Sequence, residues 1–304
     1  MLATSSSPSI TARPAVDPRL VLSLAAVYLV WSSTYLAMRI AIVDLPPLLM
    51  ASMRYTVAGL VMLAIAKRRG VAWPRAREWL RIAPIGALLC VGGNGFIVVA
   101  EQSVSSGGAA VVCGTMPLWV GVLGVVTGER PSPREWLSLA LGFGGVFVLM
   151  GGPSLSGRPE HVALLICAPI CWALGSVLTR RVPATPANRD SFMLPAMQLL
   201  TGGSALALVG GVSGEHLPVD AGARSWLALA YLCIFGSLVA FTAYSWLLRN
   251  TRPAIATSYA YVNPILAVLI GAVVSGEALG WTTLVANVMI VAAVMLVLRR
   301  PRAA

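Results

Sequence analysis

The segment GGAAVVCGTMPLWVGVLGVVTGER, Gly107 to Arg130, constrains this chain more than any other. It is about as long as a bilayer is thick, almost wholly apolar, broken by Pro117 and closed by Gly128-Glu129. It recurs as RPAIATSYAYVNPILAVLIGAVVSGE, Arg252 to Glu277, with Pro264 13 residues before Glu277 where Pro117 stands 12 before Glu129. The neighbouring segments recur as well. WSSTYLAMR from Trp31 matches WALGSVLTR from Trp172 at an offset of 141. LLMASMRYTVAGL matches MLPAMQLLTGGS at 144, placing Arg54 opposite Gln198 and Gly59 opposite Gly203. REWLRIA from Arg77 matches RSWLALA from Arg224 at 147, and the two glutamates stand 148 apart. Offsets that rise in chain order mark one ancestral unit used twice.

Composition sets the medium in which the doubled unit folds. A chain with 58% hydrophobic residues, 11% charged residues and a mean hydropathy of +0.82 would cover a soluble domain in apolar patches. A membrane span needs roughly 20 apolar residues, and the sequence supplies ten such stretches. They fall near 20–43, 47–66, 81–101, 107–127 and 134–151, then 162–180, 190–211, 225–248, 253–274 and 280–298. Strand-type alternation is absent, which argues against a barrel. The Ser/Thr/Pro-rich stretch 1–19 has no charged region leading into a cleavable apolar one and reads as a disordered tail rather than a signal peptide. The expected fold is all-α and polytopic, with a first repeat over 20–151 and a second over 162–298.

Arg and Lys set the orientation. If both termini and the even-numbered loops share one side, that side holds 18 of the 22 basic residues. The opposite side holds only Arg158 and Arg224, and Arg39 and Arg54 lie within spans. Both termini are therefore expected in the cytoplasm. The net charge of +11 follows from topology and from attraction to anionic headgroups, so no nucleic-acid partner is implied. Five spans is an odd number, so the second repeat enters the membrane from the opposite side. The repeats then have inverted topology, an arrangement that builds a mid-membrane site able to open alternately to either face.

The doubled pattern resembles the drug/metabolite transporter superfamily, and within it the EamA-type repeats. The resemblance is carried by the early tryptophans Trp31 and Trp172, by "PPLLMASMR", by "MPLWVGVLGVVTGER" and by "NPILAVLIGAVVSGE". It covers about residues 20 to 298, and its specificity lies in the order of the motifs rather than in any one of them. Ala286 and Ala293 depart from it, standing where such repeats usually carry glycine. The resemblance implies an inner-membrane exporter of amino acids or related small metabolites, with drug or nucleotide-sugar carriage as the alternative within the superfamily.

Helical spacing nominates the residues that would meet a solute. Trp31, Thr34, Tyr35 and Met38 form one stripe on the first span, and Trp172, Ser176 and Thr179 form its counterpart on the sixth. Cys90, Asn94 and Ile97 share a face of the third, beside Gly92, Gly93 and Gly95. Met116, Pro117 and Trp119 come from the fourth, Ser237, Phe241 and Tyr244 from the eighth, and Ser258, Tyr259 and Asn263 from the ninth. The candidate set is Trp31, Tyr35, Asn94, Met116, Trp119, Trp172, Ser176, Tyr244, Tyr259 and Asn263. Each Trp or Tyr could instead pack or sit at an interface, whereas an amide facing lipid is expensive and points Asn94 and Asn263 to a cavity. Pro117 and Pro264 each free a carbonyl that lipid cannot satisfy, to be met by a wet cavity or by neighbouring helices.

Charged and reactive residues narrow the chemistry. Arg39 can snorkel near Asp44; Arg54 lies two turns inside its span and either braces a helix end or holds a substrate carboxylate. Glu129 and Glu277 read as loop anchors, and Glu101 sits at the outer mouth. No Asp, Glu or His falls near the centre of a span, which predicts facilitated or weakly coupled transport through a largely uncharged aromatic cavity. Gly211-Val212-Ser213-Gly214 with His216 imitates an intramembrane serine-hydrolase motif but falls in a polar loop, so no enzyme is expected. The five cysteines, all in spans, read as small packing residues, and neither metal, ATP nor another cofactor is implied. The expected partners are a small-molecule solute and the lipid bilayer.

Overall fold

The computed structural model describes residues 17–104, 109, 112–126, 128, 131–149, 157–218, 220–263, 265–266 and 281–298. Within them the chain is helical with no strand. The first half contains α1 (Pro18–Ala41), α2 (Pro47–Arg68), α3 (Ala76–Ala100), α4 (Met116–Val126) and α5 (Pro133–Leu149). The second contains α6 (Pro159–Arg180), α7 (Met193–Val212), α8 (Ala223–Asn250), α9 (opening at Pro253–Ala256) and α10 (Trp281–Leu298). Six of the ten, α1, α2, α3, α6, α7 and α8, are long and apolar enough to cross a bilayer over their described lengths alone. Glu129, Glu277 and Pro264, read above as loop anchors and a kink, lie outside the described residues.

The helices begin where proline chemistry places them. Pro18, Pro47, Pro159 and Pro253 each open a helix, where the missing N–H removes no intrahelical bond. At the start of α1, Asp17 also accepts a hydrogen bond from the Arg19 amide. The expected ninth span is interrupted early. Thr257 Oγ1 donates to the Pro253 carbonyl and Ser258 Oγ to that of Ile255, so side-chain hydroxyls compete with the helix ladder. The chain turns at 257–258 and resumes as helix over 259–263.

The repeat is visible in features that propensity alone would not duplicate. Leu88–Gly95 in α3 and Leu232–Val239 in α8 are both π-helical and stand 144 residues apart. Gly70 (φ 76°) and Gly214 (φ 77°), also 144 apart, both turn the chain just after α2 and α7 in a left-handed conformation that only glycine adopts freely. The packing pairs follow the same exchange. Helix α2 packs on its repeat-mate α7, and α5 on α10. Contact of α3 with α7 is mirrored by α2 with α8, and contact of α1 with α8 by α6 with α3. A two-fold relation between halves of five helices each requires inverted topology.

Close approach at the centre depends on small residues. A Cβ added at Gly86 of α3 would stand 2.5 Å from the Gln198 carbonyl and 3.0 Å from the Gly202 nitrogen of α7. Gly86→Leu therefore forces two backbones apart, and we expect it to cost about 3 kcal/mol or more. A thermal melt in detergent checks this, and an unchanged midpoint would contradict the α3–α7 contact. On the α5–α10 pair, Ala286 and Ala293 are fully buried, Ser138 Oγ donates to the Ala293 carbonyl at 2.8 Å, and Gly145 of α5 supplies the close approach.

Polar contacts fasten the loops of one half to helix starts of the other. Glu215, following α7, accepts from the Leu48 amide at 3.1 Å and the Leu49 amide at 2.8 Å, covering the exposed N–H groups and positive dipole end of α2. Asp44, following α1, accepts from the Gly222 amide and from Ser225 Oγ at the start of α8. Arg39 is exposed at the end of α1.

Candidate solute-binding site

The stripe predicted on α1 faces the interior, where the π segment of α8 offers Trp31 a backbone acceptor. π turns misalign carbonyls from the helix ladder, and the Gly236 carbonyl accepts Trp31 Nε1 at 3.0 Å. Around Trp31 stand Trp172 (ring centroids 5.6 Å apart, 84° between planes), Tyr244 (5.0 Å) and Tyr259 (4.6 Å, 75°). Edge-to-face contacts of this kind are worth about 0.5–1.5 kcal/mol each beyond buried area. The result is a stiff aromatic wall built from α1, α6, α8 and α9.

Beside that wall lies a cavity of about 70 Å³ accessible to water centres. At roughly 10–15 Å³ per water, it holds about five water molecules. Seven of the ten candidates line it: Trp31, Tyr35, Asn94, Met116, Trp172, Tyr259 and Asn263. Ser176 and Tyr244 form the layer behind. Trp172 Nε1 donates to Tyr244 Oη at 3.2 Å, and Tyr244 Oη and Ser176 Oγ are 2.7 Å apart. Ser176 Oγ in turn donates to the Trp172 carbonyl at 2.7 Å, so the tyrosine donates to the serine. Trp119 takes no part. The buried stripe of α4 is Met116, Pro117, Val120, Gly121 and Gly124, and Trp119 falls off it, 36% exposed.

The cavity is not uncharged. Arg54, 3% exposed, lines it and corrects the expectation of a neutral pocket. Its Nε donates to Ser237 Oγ at 2.7 Å, its Nη1 lies 3.7 Å from Met38 Sδ, and its guanidinium sits 4.9 Å over the Tyr55 ring. Among the described residues no carboxylate forms an ion pair with it. Its repeat-mate Gln198 has a purely internal partner, donating to Thr179 Oγ1 at 2.8 Å. The scaffold thus holds a neutral amide at this position in one half and a charge in the other. Two acceptors complete the polarity: Asn94 Oδ1 and Asn263 Oδ1 are buried without a hydrogen-bond partner. Met38, Tyr55, Cys113, Pro169 and Gly236 also contribute to the lining. Met38 belongs to the predicted α1 stripe, whereas Tyr55 directly follows Arg54 and had no spacing signal of its own.

A second cavity, of about 230 Å³, lies further along α4 and is lined by Pro117, Gly121, Glu135, Arg180, Arg252 and Pro253. Arg252 Nη1 and Glu135 Oε1 pair across it at 2.8 Å. Ser213 and His216, the imitation of a hydrolase motif, are exposed after α7.

The chain matches the EamA-like transporter family twice, over residues 19–151 and 161–299. It is 41% identical over 276 residues to the uncharacterised inner membrane transporter YedA of Escherichia coli K12, covering 90% of this chain and 89% of that one. An uncharacterised transporter of Archaeoglobus fulgidus is 24% identical, covering 90% of this chain and 96% of its own length. One solved protein crystal structure superposes with a TM-score of 0.75 at 23% identity, covering 92% of this chain and 98% of that one, a likeness of fold.

Proposed function

The chain belongs to the EamA-like transporter family, a family of membrane transporters, and on that premise we propose that it exports amino acids or related small metabolites across an inner membrane. The carrying observation is the buried cavity between two pseudo-symmetric halves, walled by the repeat-related pair Trp31 and Trp172. That arrangement supports alternating access, because each half presents the same devices in opposite directions. The repeats over about 20–151 and 162–298 are the two moving bodies. The 18-to-2 distribution of basic residues orients both termini to the cytoplasm, and the larger second cavity with Arg180 and Arg252 is then the inner vestibule.

Polarity and size narrow the solute. Arg54 offers a cation with no paired carboxylate among the described residues, Asn94 and Asn263 offer acceptors, and the aromatic wall offers π faces. An α-amino acid answers all three: carboxylate to arginine, ammonium to amide oxygens and rings. The cavity's volume suits a small zwitterion better than a drug or a nucleotide sugar. A counterflow screen in proteoliposomes with labelled amino acids, nucleosides and sugar derivatives tests the reading. Amino acids are expected to exchange; exchange confined to nucleosides or sugars would replace the substrate class, and none at all would sink the transport reading.

A further inference from the structure

Glu101 stands one residue beyond the end of α3, on the same face as Cys90, Asn94 and Ile97. Its amide continues the helix, donating to the Ile97 carbonyl at 2.9 Å, so the carboxyl lies one turn outward from the cavity lining. It is 6% exposed, and both carboxyl oxygens are buried without a hydrogen-bond partner. Five other carboxylates have structural tasks. Asp44 and Glu215 hold helix starts, Glu78 accepts from the Arg75 amide, Asp190 from the Phe192 amide, and Glu135 pairs with Arg252. Glu101 has none.

A lone carboxylate withdrawn from water is costly, whereas the protonated acid is tolerated. Arg39 is the cation that acts on Glu101, and no ion pair joins the two among the described residues. The titratable and charged groups facing it are Tyr35 and Arg39 from α1 and Cys113 from the segment before α4. His161 of α6 is engaged by Ser103 Oγ at 2.8 Å, and Arg158 by Glu160 at 3.4 Å. Tyr35 and Cys113 are themselves cavity residues, so a change at Glu101 is felt by the solute site directly.

We infer that Glu101 is a proton-carrying site which couples inward proton movement to outward solute movement. This rests on the transport reading above and replaces the expectation of weak coupling. The protonated carboxyl fits the closed surroundings seen here. The ionised carboxyl favours a conformation in which α1 and the start of α4 part to admit water from the outer face. Protonation from the outer face favours the closed state, and once the cavity opens inward the proton leaves through it past Tyr35 and Cys113, so its uptake and its loss bias the two states in opposite directions, which is what coupling requires. One proton enters and leaves unchanged, and no bond of the solute is altered.

Two measurements on the full-length protein in proteoliposomes test this. First, the infrared C=O band of a protonated carboxylic acid is followed against pH without solute. Wild type should show a pH-dependent band that Glu101→Gln lacks; the same band in both would overturn the inference. Second, an equimolar mixture of labelled L-amino acids is presented with and without a pH gradient. Wild type should accumulate label against its gradient several-fold, while Glu101→Gln should retain counterflow and lose the gradient response. Gradient-driven accumulation by Glu101→Gln at the wild-type level would overturn the inference. If that variant fails to exchange at all, Glu101→Asp decides, since it keeps the acid and must keep the gradient response. Absence of counterflow by wild type would instead remove the transport reading, leaving the infrared result to stand on its own.

Discussion

Arg54→Gln is expected to lower transport of amino acids by roughly 30- to 150-fold while leaving the protein folded in the membrane. Losing a charge-assisted hydrogen bond costs about 2–3 kcal/mol, and each 1.4 kcal/mol is tenfold. Folding should survive because the other half already carries glutamine at this position, where Gln198 bonds internally to Thr179. Arg54→Lys should recover only part of the flux, since it keeps the charge but not the planar fork that grips a carboxylate. Initial counterflow rates, scaled to protein reconstituted, check both variants. If Arg54→Gln transports amino acids normally, the guanidinium is a brace between α2 and α8 through Ser237, and the solute carboxylate is held elsewhere.

Trp172→Ala should have an effect of comparable size on flux with little effect on membrane insertion. The ring meets Trp31 at 5.6 Å, Tyr244 at 6.0 Å and Phe241 at 6.4 Å, and Nε1 holds the Tyr244 hydroxyl. Three aromatic contacts at about 0.5–1.5 kcal/mol each give about 1.5–4.5 kcal/mol of lost wall packing. Tyr259→Ala removes the contacts to Trp31 and Tyr244 and should behave alike. Trp172→Phe keeps a ring and loses the donor, so it should fall between wild type and alanine. Flux at the wild-type level in both alanine variants, with normal membrane amounts, would discard the cavity assignment.

Much of the architecture was legible because it is written twice. A single run of apolar residues fixes only a span, but matched tryptophans, prolines and glycines at slowly rising offsets fix a duplicated unit and its odd helix count. The π segments were not legible. Gly92, Gly93 and Gly95 allowed a bend, yet nothing in Leu232–Val239 distinguishes a π turn from an ordinary apolar helix. Helical spacing names a face and not a depth, which is why Ser176 and Tyr244 fall one layer behind the surface they were expected to form. Met116 and Trp119 were expected together three residues apart, but the buried stripe of α4 follows i, i+4, i+8 and leaves Trp119 outside. The sequence left Arg54 open between brace and anchor, and only three-dimensional packing revealed a cation with no paired carboxylate among its described neighbours. Glu101 was read at the end of the third span, where α3 stops, but spacing could not reveal that both its oxygens lack partners.

The central claim is that one buried site is exposed in turn to both compartments. It is tested most directly by Asn263→Cys in a background whose five native cysteines are replaced. Sealed right-side-out and inside-out vesicles are treated with a membrane-impermeant thiol reagent, with and without an excess of amino acids. The account predicts labelling from each side, slowed by solute in both cases. A site labelled from one side only under every condition, or from neither, would contradict it.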